Sequence, residues 1–456
     1  MPMRFLAIWM GMGCVATADW PTYLGDGSRS GIARSKLALP LRESWAHRSP
    51  HKPRPAWRGP ARNDLYNKQM GLHNRQAFDH AYHVVTVGGL VFYGSSADDQ
   101  LYCLDKATGI VKWTFFAEGP IRLAPTIHNN RVWFGSDDGF VYCISLAGKL
   151  IWKKRLGPRD YRVPGNGRMI SAWPVRSGVL VSGGLVFAAA GMFPSEGVYV
   201  CALGTATGEI KWRTLQTDLT AQGYLLMSQT QLFVAAGRAS PVVYDLATGK
   251  RLRAVGGQGG TDVTLAGDDL VVGPGRTGQL CLIPAGQEKV FATFSGTRMV
   301  VTQDLFLIHG VNEMRAINRP EFLKWEGRRK QITASVSKLE GHIKNVRRGK
   351  PGPKPLSDLS VDLAEAKEGL ASARIKLAEC ETWKQPGGYP YALILSGEHV
   401  FVGGQNEVAA RNLADGEIVW RQSVKGRALG LAISNERLLV STNLGTIYCF
   451  KSEAKQ

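Results

Sequence analysis

Beyond its N-terminus this sequence has no run of 18 or more apolar residues, so it is not a polytopic helical membrane protein. Acidic side chains are scarce: 37 Asp and Glu stand against 56 Lys and Arg, a formal charge of +19 at pH 7. That deficit favours acidic partners or surfaces without identifying one. Cysteine is also rare, seven in 456 residues, with no adjacent Cys-Cys pair and no Cys-x-x-Cys-His, which excludes c-type haem attachment. The 44% hydrophobic content excludes a chain disordered throughout. What is plentiful is glycine: 53 residues, about 12% against roughly 7% in ordinary proteins. With 22 prolines and no collagen period, that excess points to the many tight turns of an all-β fold.

The N-terminus reads as a targeting segment. Met1 to Arg4 is a short basic region, Phe5 to Val15 an apolar run too short to span a bilayer, and Ala16-Thr-Ala18 supplies small residues for cleavage before Asp19. Residues 1–18 are therefore expected to be a signal peptide and the mature chain to be periplasmic or otherwise exported. Cys14 is the less favoured alternative, a lipoprotein site, because Gly11 stands where a leucine-like residue is preferred.

A unit of roughly 37 to 41 residues then recurs. Gly89 to Ser96, Leu101 to Asp105 and Ala107-Thr-Gly to Trp113 are matched by Arg131 to Gly139, Val141 to Ser145 and Gly148 to Trp152. Further copies begin at Leu185, Leu232, Leu270, Leu305, Val400 and Leu438. Each holds short β-branched and aromatic runs between Gly, Asp and Asn turns, the pattern of antiparallel strands. Four strands in about 40 residues is the spacing of a propeller blade. The expected fold is an eight-bladed β-propeller. Its last copy lacks a fourth strand, which a segment near 42–47 supplies to close the ring and remove exposed sheet edges. Trp45, Trp113, Trp152, Trp212, Trp383 and Trp420 fill one repeat position, with Arg253 and Val290 as substitutes, and are expected to pack between blades. Cys103, Cys143, Cys201, Cys281 and Cys449 likewise share a mid-strand position, where they are core fillers too far apart to be bridged.

Between Ile317 and Trp383 the strand pattern stops. Leu356, Leu359, Leu363, Ala366, Leu370, Ala373, Leu377 and Cys380 are spaced three and four apart, and a similar series runs from Phe322 to Val346. The proline- and glycine-rich link 349–355 forces a turn. The expectation is an antiparallel helical hairpin, 322–382, inserted in the sixth blade. Residues 321–355 carry ten basic and three acidic side chains, and 356–382 three and six, which favours pairing within the hairpin; docking of another protein is the other reading. The expected organisation is therefore a basic leader over 19–80, blades one to six over 81–321, the hairpin over 322–382, and the remainder of the ring over 383–456.

These residues resemble the bacterial PQQ-like, or quinoprotein-alcohol-dehydrogenase-like, β-propeller repeat proteins. The resemblance rests on Ala-Thr-Gly-x-x-x-Trp at 107–113 and 206–212, the leader from Asp19 to Ser28, and Trp173-Pro-Val-Arg176 with Ala190 to Gly197. It implies the eight-bladed fold and two functional branches: quinone-dependent dehydrogenases, and non-catalytic scaffolds of the BamB type. The dehydrogenases place a disulfide of adjacent cysteines over the quinone, hold calcium with Glu and Asn, and use an Asp as base. The first feature is missing here and no motif fixes the others. Asp105, Asp137, Asp138 and Asp245 fall in repeat turns, where satisfying backbone donors is the usual role.

The most unusual loop, 157–175, carries Arg159, Asp160, Tyr161, Arg162, Asn166, Arg168 and Trp173, with Arg176 just beyond. Arg122 and Arg427 occupy similar positions ahead of other blades. Arg122, Arg162, Arg168, Trp173, Arg176 and Arg427 are thus candidate ligand-binding residues at the channel mouth, where guanidinium groups could take a carboxylate or phosphate. Pairing with nearby carboxylates such as Asp160 or Glu196 is the alternative. The basic tract from Arg29 to Arg75, with Trp57 and Tyr66, reads as an extended segment lying on the propeller rather than a nucleic-acid arm. No catalytic or metal-binding residue is assigned. The leading expectation is a non-enzymatic binding or assembly scaffold with a protein or cell-envelope partner, acidic in character, and without a cofactor. A dehydrogenase using PQQ and calcium is the alternative, and a sensor of acidic sugars or similar anions a third.

Overall fold

The computed structural model describes residues 19–453 apart from 57–62, 65–68, 71–76, 238, 258, 261 and 275–277. The expected signal segment, Cys14, Trp57 and Tyr66 lie outside the described residues. Among those residues are six four-stranded antiparallel sheets and one of seven strands. The four-stranded sheets cover 85–116, 126–155, 180–216, 226–254, 262–295 and 298–386. In the seven-stranded sheet, 392–452, the 16-residue strand Ile418–Ile433 pairs with Gln405–Asn412 through its first half and with Arg437–Thr442 through its second. The architecture is all-β and consistent with a β-propeller. First strands lie beside first strands: 85–87 by 126–128, 126–128 by 180–182, 226–227 by 262–266, and on through 298–301 to 392–396. An apolar cluster from Tyr82 and Tyr93 to Leu438 and Phe450 joins the last sheet to the first.

The seventh strand of the large sheet is N-terminal. Leu41–Arg48 runs antiparallel to Thr446–Ser452, with Trp45 opposite Cys449. Each ring tryptophan has one task, visible in its indole N–H. Trp45 donates to the carbonyl of Lys106, Trp113 to Leu146, Trp152 to Thr205, Trp212 to Leu246, Trp383 to Leu413 and Trp420 to Leu41, at 2.8–3.2 Å. Five of these acceptors lie in the tight turn before the outer strand of the next sheet. The same rings cover that turn's glycine: a Cβ on Gly109, Gly208, Gly249 or Gly416 would stand 2.3–2.7 Å from Trp45, Trp152, Trp212 or Trp383. These glycines have φ between 70° and 75°, so backbone and neighbour both demand the missing side chain. Cys103, Cys143, Cys201, Cys281 and Cys449 are buried free thiols in third strands.

The first part of the leader, 19–33, crosses one mouth of the ring. Thr86 and Ile127 donate to the carbonyls of Trp20 and Pro21, Met227 and Leu265 to those of Gly27 and Ser28, and Leu395 to Gly31. All these contacts are near the turns between first and second strands, so the leader lies at that end of the ring. Arg29 anchors it from within. Its side chain is buried and donates to the carbonyl of Leu225 at 3.0 Å, to Thr22 Oγ1 at 2.5 Å and to the carbonyl of Tyr23 at 2.9 Å. Burial without a hydrogen-bonded carboxylate lowers its pKa to about 10, although Tyr224, Asp26 and Tyr23 act in the other direction.

Two helices, α1 (Arg319–Arg347) and α2 (Leu356–Ala378), lie between the paired strands Glu313–Asn318 and Glu381–Pro386. They stand where other sheets have a turn of a few residues. Asn318 caps α1 by accepting from the Glu321 amide, with Pro320 in the first turn. The Asn318 amide donates to the Cys380 carbonyl at 2.8 Å and closes the base. Val336, Ile343, Leu359 and Ala373 are buried along the helix pair.

Candidate functional site at the open mouth

The mouth opposite residues 19–33 is built from the turns between second and third strands and the links from one sheet to the next, and the leader's Arg54 and Asp79 reach it as well. In the second sheet this turn is Ser136-Asp137-Asp138, where the first sheet has Ser95-Ser96-Ala97. The substituted aspartate changes the chemistry. Asp137 is fully buried and receives Arg176 Nε at 2.8 Å on Oδ1, and Arg176 Nη2 and Arg122 Nε at 2.8 and 2.7 Å on Oδ2. Arg122 Nη1 continues to Asp79 Oδ2 at 3.1 Å and to the Arg54 carbonyl at 2.9 Å. Two cations and two anions thus form one buried network joining the leader's end, the second sheet and the approach to the third.

Burial alone would push the Asp137 carboxyl up, but Arg176 and Arg122 outweigh it and hold it below the ordinary carboxylate range. Asp79 goes the other way, because burial exceeds the help of Arg122 and the Ala56 amide. Burial opposes the charge on Arg122, but Asp137 and Asp79 together raise its pKa.

The sequence placed Asp137 among aspartates that satisfy turn backbones. Asp105 and Asp245 do so, accepting from Thr108 and Thr248, and Asp138 accepts from the amides of Phe140 and Glu118. Asp137 instead binds two side chains, because arginines on both flanking links reach into its turn. Of the six candidate ligand residues, only Arg122 and Arg176 meet, and their partner is Asp137 rather than Asp160 or Glu196. Arg162 and Arg168 belong to a β-hairpin, Arg162–Gly165 against Arg168–Ser171, within the segment read as a loop. Arg162 reaches Glu118 at 3.0 Å, and Arg168 pairs with Asp99 and donates to the Ala97 carbonyl at 2.8 Å. Trp173 is buried at the hairpin's base, donating to the Glu196 carbonyl at 2.9 Å. Arg427 lies apart, over the ring of Tyr391.

Sequence reasoning named Arg159 and Tyr161 in the 157–175 loop but not Met169 or Phe193 as exposed neighbours on the rim. Tyr161, Met169 and Phe193 are exposed, and Arg159 lies 5.1 Å over the Tyr161 ring. Strand alternation in the Arg162–Ser171 hairpin was the available signal for Met169: Ile170 turns inward, so Met169 turns out.

A sequence profile for the family described as outer membrane protein assembly factor BamB matches residues 54–170, 137–300 and 367–454. The chain belongs to this family of PQQ-like repeat proteins. A search of curated protein sequences finds no match. Among solved structures, BamB from Moraxella catarrhalis is similar with a TM-score of 0.55 and 13% identity, over 92% of this chain and 99% of that one. Quinohemoprotein alcohol dehydrogenase from Comamonas testosteroni is similar with a TM-score of 0.62 and 14% identity, over 96% and 81%. A europium-containing methanol dehydrogenase gives 0.58 and 10%, over 95% and 98%. At these identities the BamB-family chain shares a fold with both branches and nothing finer.

The dehydrogenase branch raises the question of a metal-bound quinone. Among the described residues no three His, Cys, Asp or Glu side chains are grouped to hold a metal ion. Of the buried carboxylates at the mouth, Asp137 faces guanidinium groups through both oxygens and Asp79 through Oδ2 alone, its buried Oδ1 having no partner; two carboxylates fall short of the six or more oxygens calcium takes. This donor set does not fit calcium with a quinone. Nor is any helix among the described residues long and apolar enough to cross a membrane.

Proposed function

We propose that this protein is an exported, eight-bladed, non-enzymatic scaffold of the cell envelope, with the helical hairpin inserted in its sixth blade as an arm. The count of eight takes the seven-stranded sheet as two blades sharing Ile418–Ile433, the second completed by Leu41–Arg48. Export rests on the sequence of residues 1–18. Membership of the BamB family supports the scaffold reading.

The observation that carries it is the rim of the open mouth. Tyr161, Met169 and Phe193 stand exposed on segments 157–175 and 191–197, with Arg159 over the Tyr161 ring, and aromatic, methionine and arginine side chains are those enriched at protein interfaces. Beneath them the buried Arg–Asp network fixes the links without leaving its charges open to a substrate. Arg162, Arg168 and Arg427 then serve as contacts for a protein partner, and Arg122, Arg176 and Trp173 hold the rim in place.

Two experiments test this. Protein supplied with PQQ and calcium is assayed by dye reduction over alcohols and sugars; no turnover is expected, and turnover overturns the scaffold reading. Envelope proteins are then captured on the wild-type chain and on Tyr161→Ala/Phe193→Ala. A partner retained equally by both refutes the rim assignment.

A further inference from the structure

The arm ends in unopposed positive charge. Between Glu340 and Asp358 the sequence has no acidic residue, but it has Lys344, Arg347, Arg348, Lys350 and Lys354. Lys354 is paired with Asp362 at 2.7 Å. The other four are exposed, and none forms an ion pair among the described residues. The tip that carries them is held in shape. Gly349, at φ 76°, ends α1 by donating to the Val346 carbonyl at 2.9 Å, and Lys350 donates to Asn345 at 3.1 Å. The Val346 side chain packs so closely on Gly352 that a Cβ there would meet it at 2.3 Å.

We propose that this tip binds the anionic phospholipid surface of a membrane. A protein partner would need aromatic or aliphatic anchors to bury, and between Val346 and Leu356 the only apolar side chains are prolines. Four exposed cations, with Leu356 the one exposed large aliphatic side chain at the link, match a dense plane of phosphates and not a shaped pocket. The arm supplies the reach: the first turns of α1 pack on the ring as far as Lys330, which donates to the Val290 carbonyl, and the 17 residues from there to Arg347, at about 1.5 Å each, carry the tip roughly 25 Å beyond that contact.

The inference rests on reading the hairpin as an arm. It can fail separately from the rim assignment, because vesicle binding and protein capture are independent measurements. The full chain is sedimented with vesicles of phosphatidylcholine alone or mixed with phosphatidylglycerol. Binding is expected only with the anionic lipid and is expected to weaken as salt rises. Each basic residue near such a surface strengthens binding roughly fivefold, so Arg347→Glu/Arg348→Glu/Lys350→Glu is expected to bind at least about a hundredfold more weakly. The milder Gln triple should fall in the same direction, with a melting temperature matching wild type for both variants because the side chains are exposed. Equal binding to neutral vesicles, or unchanged binding by both variants, overturns the proposal. So does absence of vesicle binding by a chain whose tip still binds polyglutamate, an outcome that points to an acidic protein instead.

Discussion

Asp137→Asn is the sharpest test of the network at the open mouth. The substitution keeps the shape of the side chain and removes one charge. Three charge-assisted hydrogen bonds converge on Asp137, two on Oδ2 and one on Oδ1. With asparagine, one of those acceptors becomes an NH2 group facing a guanidinium, and two buried cations are left with Asp79 alone. Removing one partner from a buried ion pair destabilises by about 3–5 kcal/mol, because the other charge stays buried. Urea unfolding followed by tryptophan fluorescence at pH 7 should show a loss of that size with little change in slope. Glu209→Gln breaks the exposed pair with Lys211 and should leave the midpoint where it was. Asp137→Asn combined with Arg176→Met restores one cation to one anion and should recover part of the loss. The depressed Asp137 pKa adds a sign: its stabilisation is present above the ordinary carboxylate value near 3.9 and is lost as pH falls through its lower folded value. A loss under about 1 kcal/mol, the size of a surface pair, would refute the claim that these charges depend on one another.

Three further outcomes follow from other parts of the ring. Gly249→Ala places a methyl group 2.3 Å from the Trp212 ring at φ 70°; the left-handed backbone alone costs about 1–2 kcal/mol, so the loss in urea unfolding should exceed that. His83 and His309 are buried, and burial first, then Arg298, lowers them to about 3 and about 4. The unfolded chain takes up protons near pH 6.5 while these two do not, so stability should fall between pH 6.5 and 4, by about 2 kcal/mol per histidine at pH 5. His309→Gln should flatten that acid limb, and a flat limb in the wild type would contradict the burial. Deleting residues up to Arg48 exposes the strand Thr446–Ser452 as an open edge, and size-exclusion chromatography should then show self-association.

The strands were legible because each repeats the same local rule, β-branched and aromatic runs between Gly and Asp turns. Once Trp113 and Trp152 had been aligned, the indole at each outer strand had to meet a neighbour. What the alignment could not show was the reason for Gly109 and Gly249, since the ring that excludes their Cβ belongs to another sheet. The open mouth was less legible for the same reason. Arg122 and Arg176 are 54 residues apart, and only the folded second sheet, with the links on either side of it, sets both against Asp137. A comparison of Gly94-Ser-Ser-Ala with Gly135-Ser-Asp-Asp would have marked Asp137 as the odd residue of its turn. No repeat or motif marks Arg29: three of its acceptors, Thr22, Tyr23 and Asp26, lie in its own leader turn, and only the Leu225 carbonyl comes from the ring.

The leader's position has a kinetic consequence. Residues 19–33 are synthesised ahead of the strands they serve: their main-chain acceptors take Thr86, Ile127, Met227, Leu265 and Leu395, which are completed one after another along the chain. Consolidation of the leader therefore follows the order of synthesis, from Trp20 with Thr86 to Gly31 with Leu395, and Leu41–Arg48 waits longest, because it pairs with Thr446–Ser452. Pairing across such a separation is slow because loop closure must be met before any contact rewards it. The final step of folding is then a docking of old chain onto new, and its rate should follow completion of the C-terminal strand rather than the stability of any single sheet.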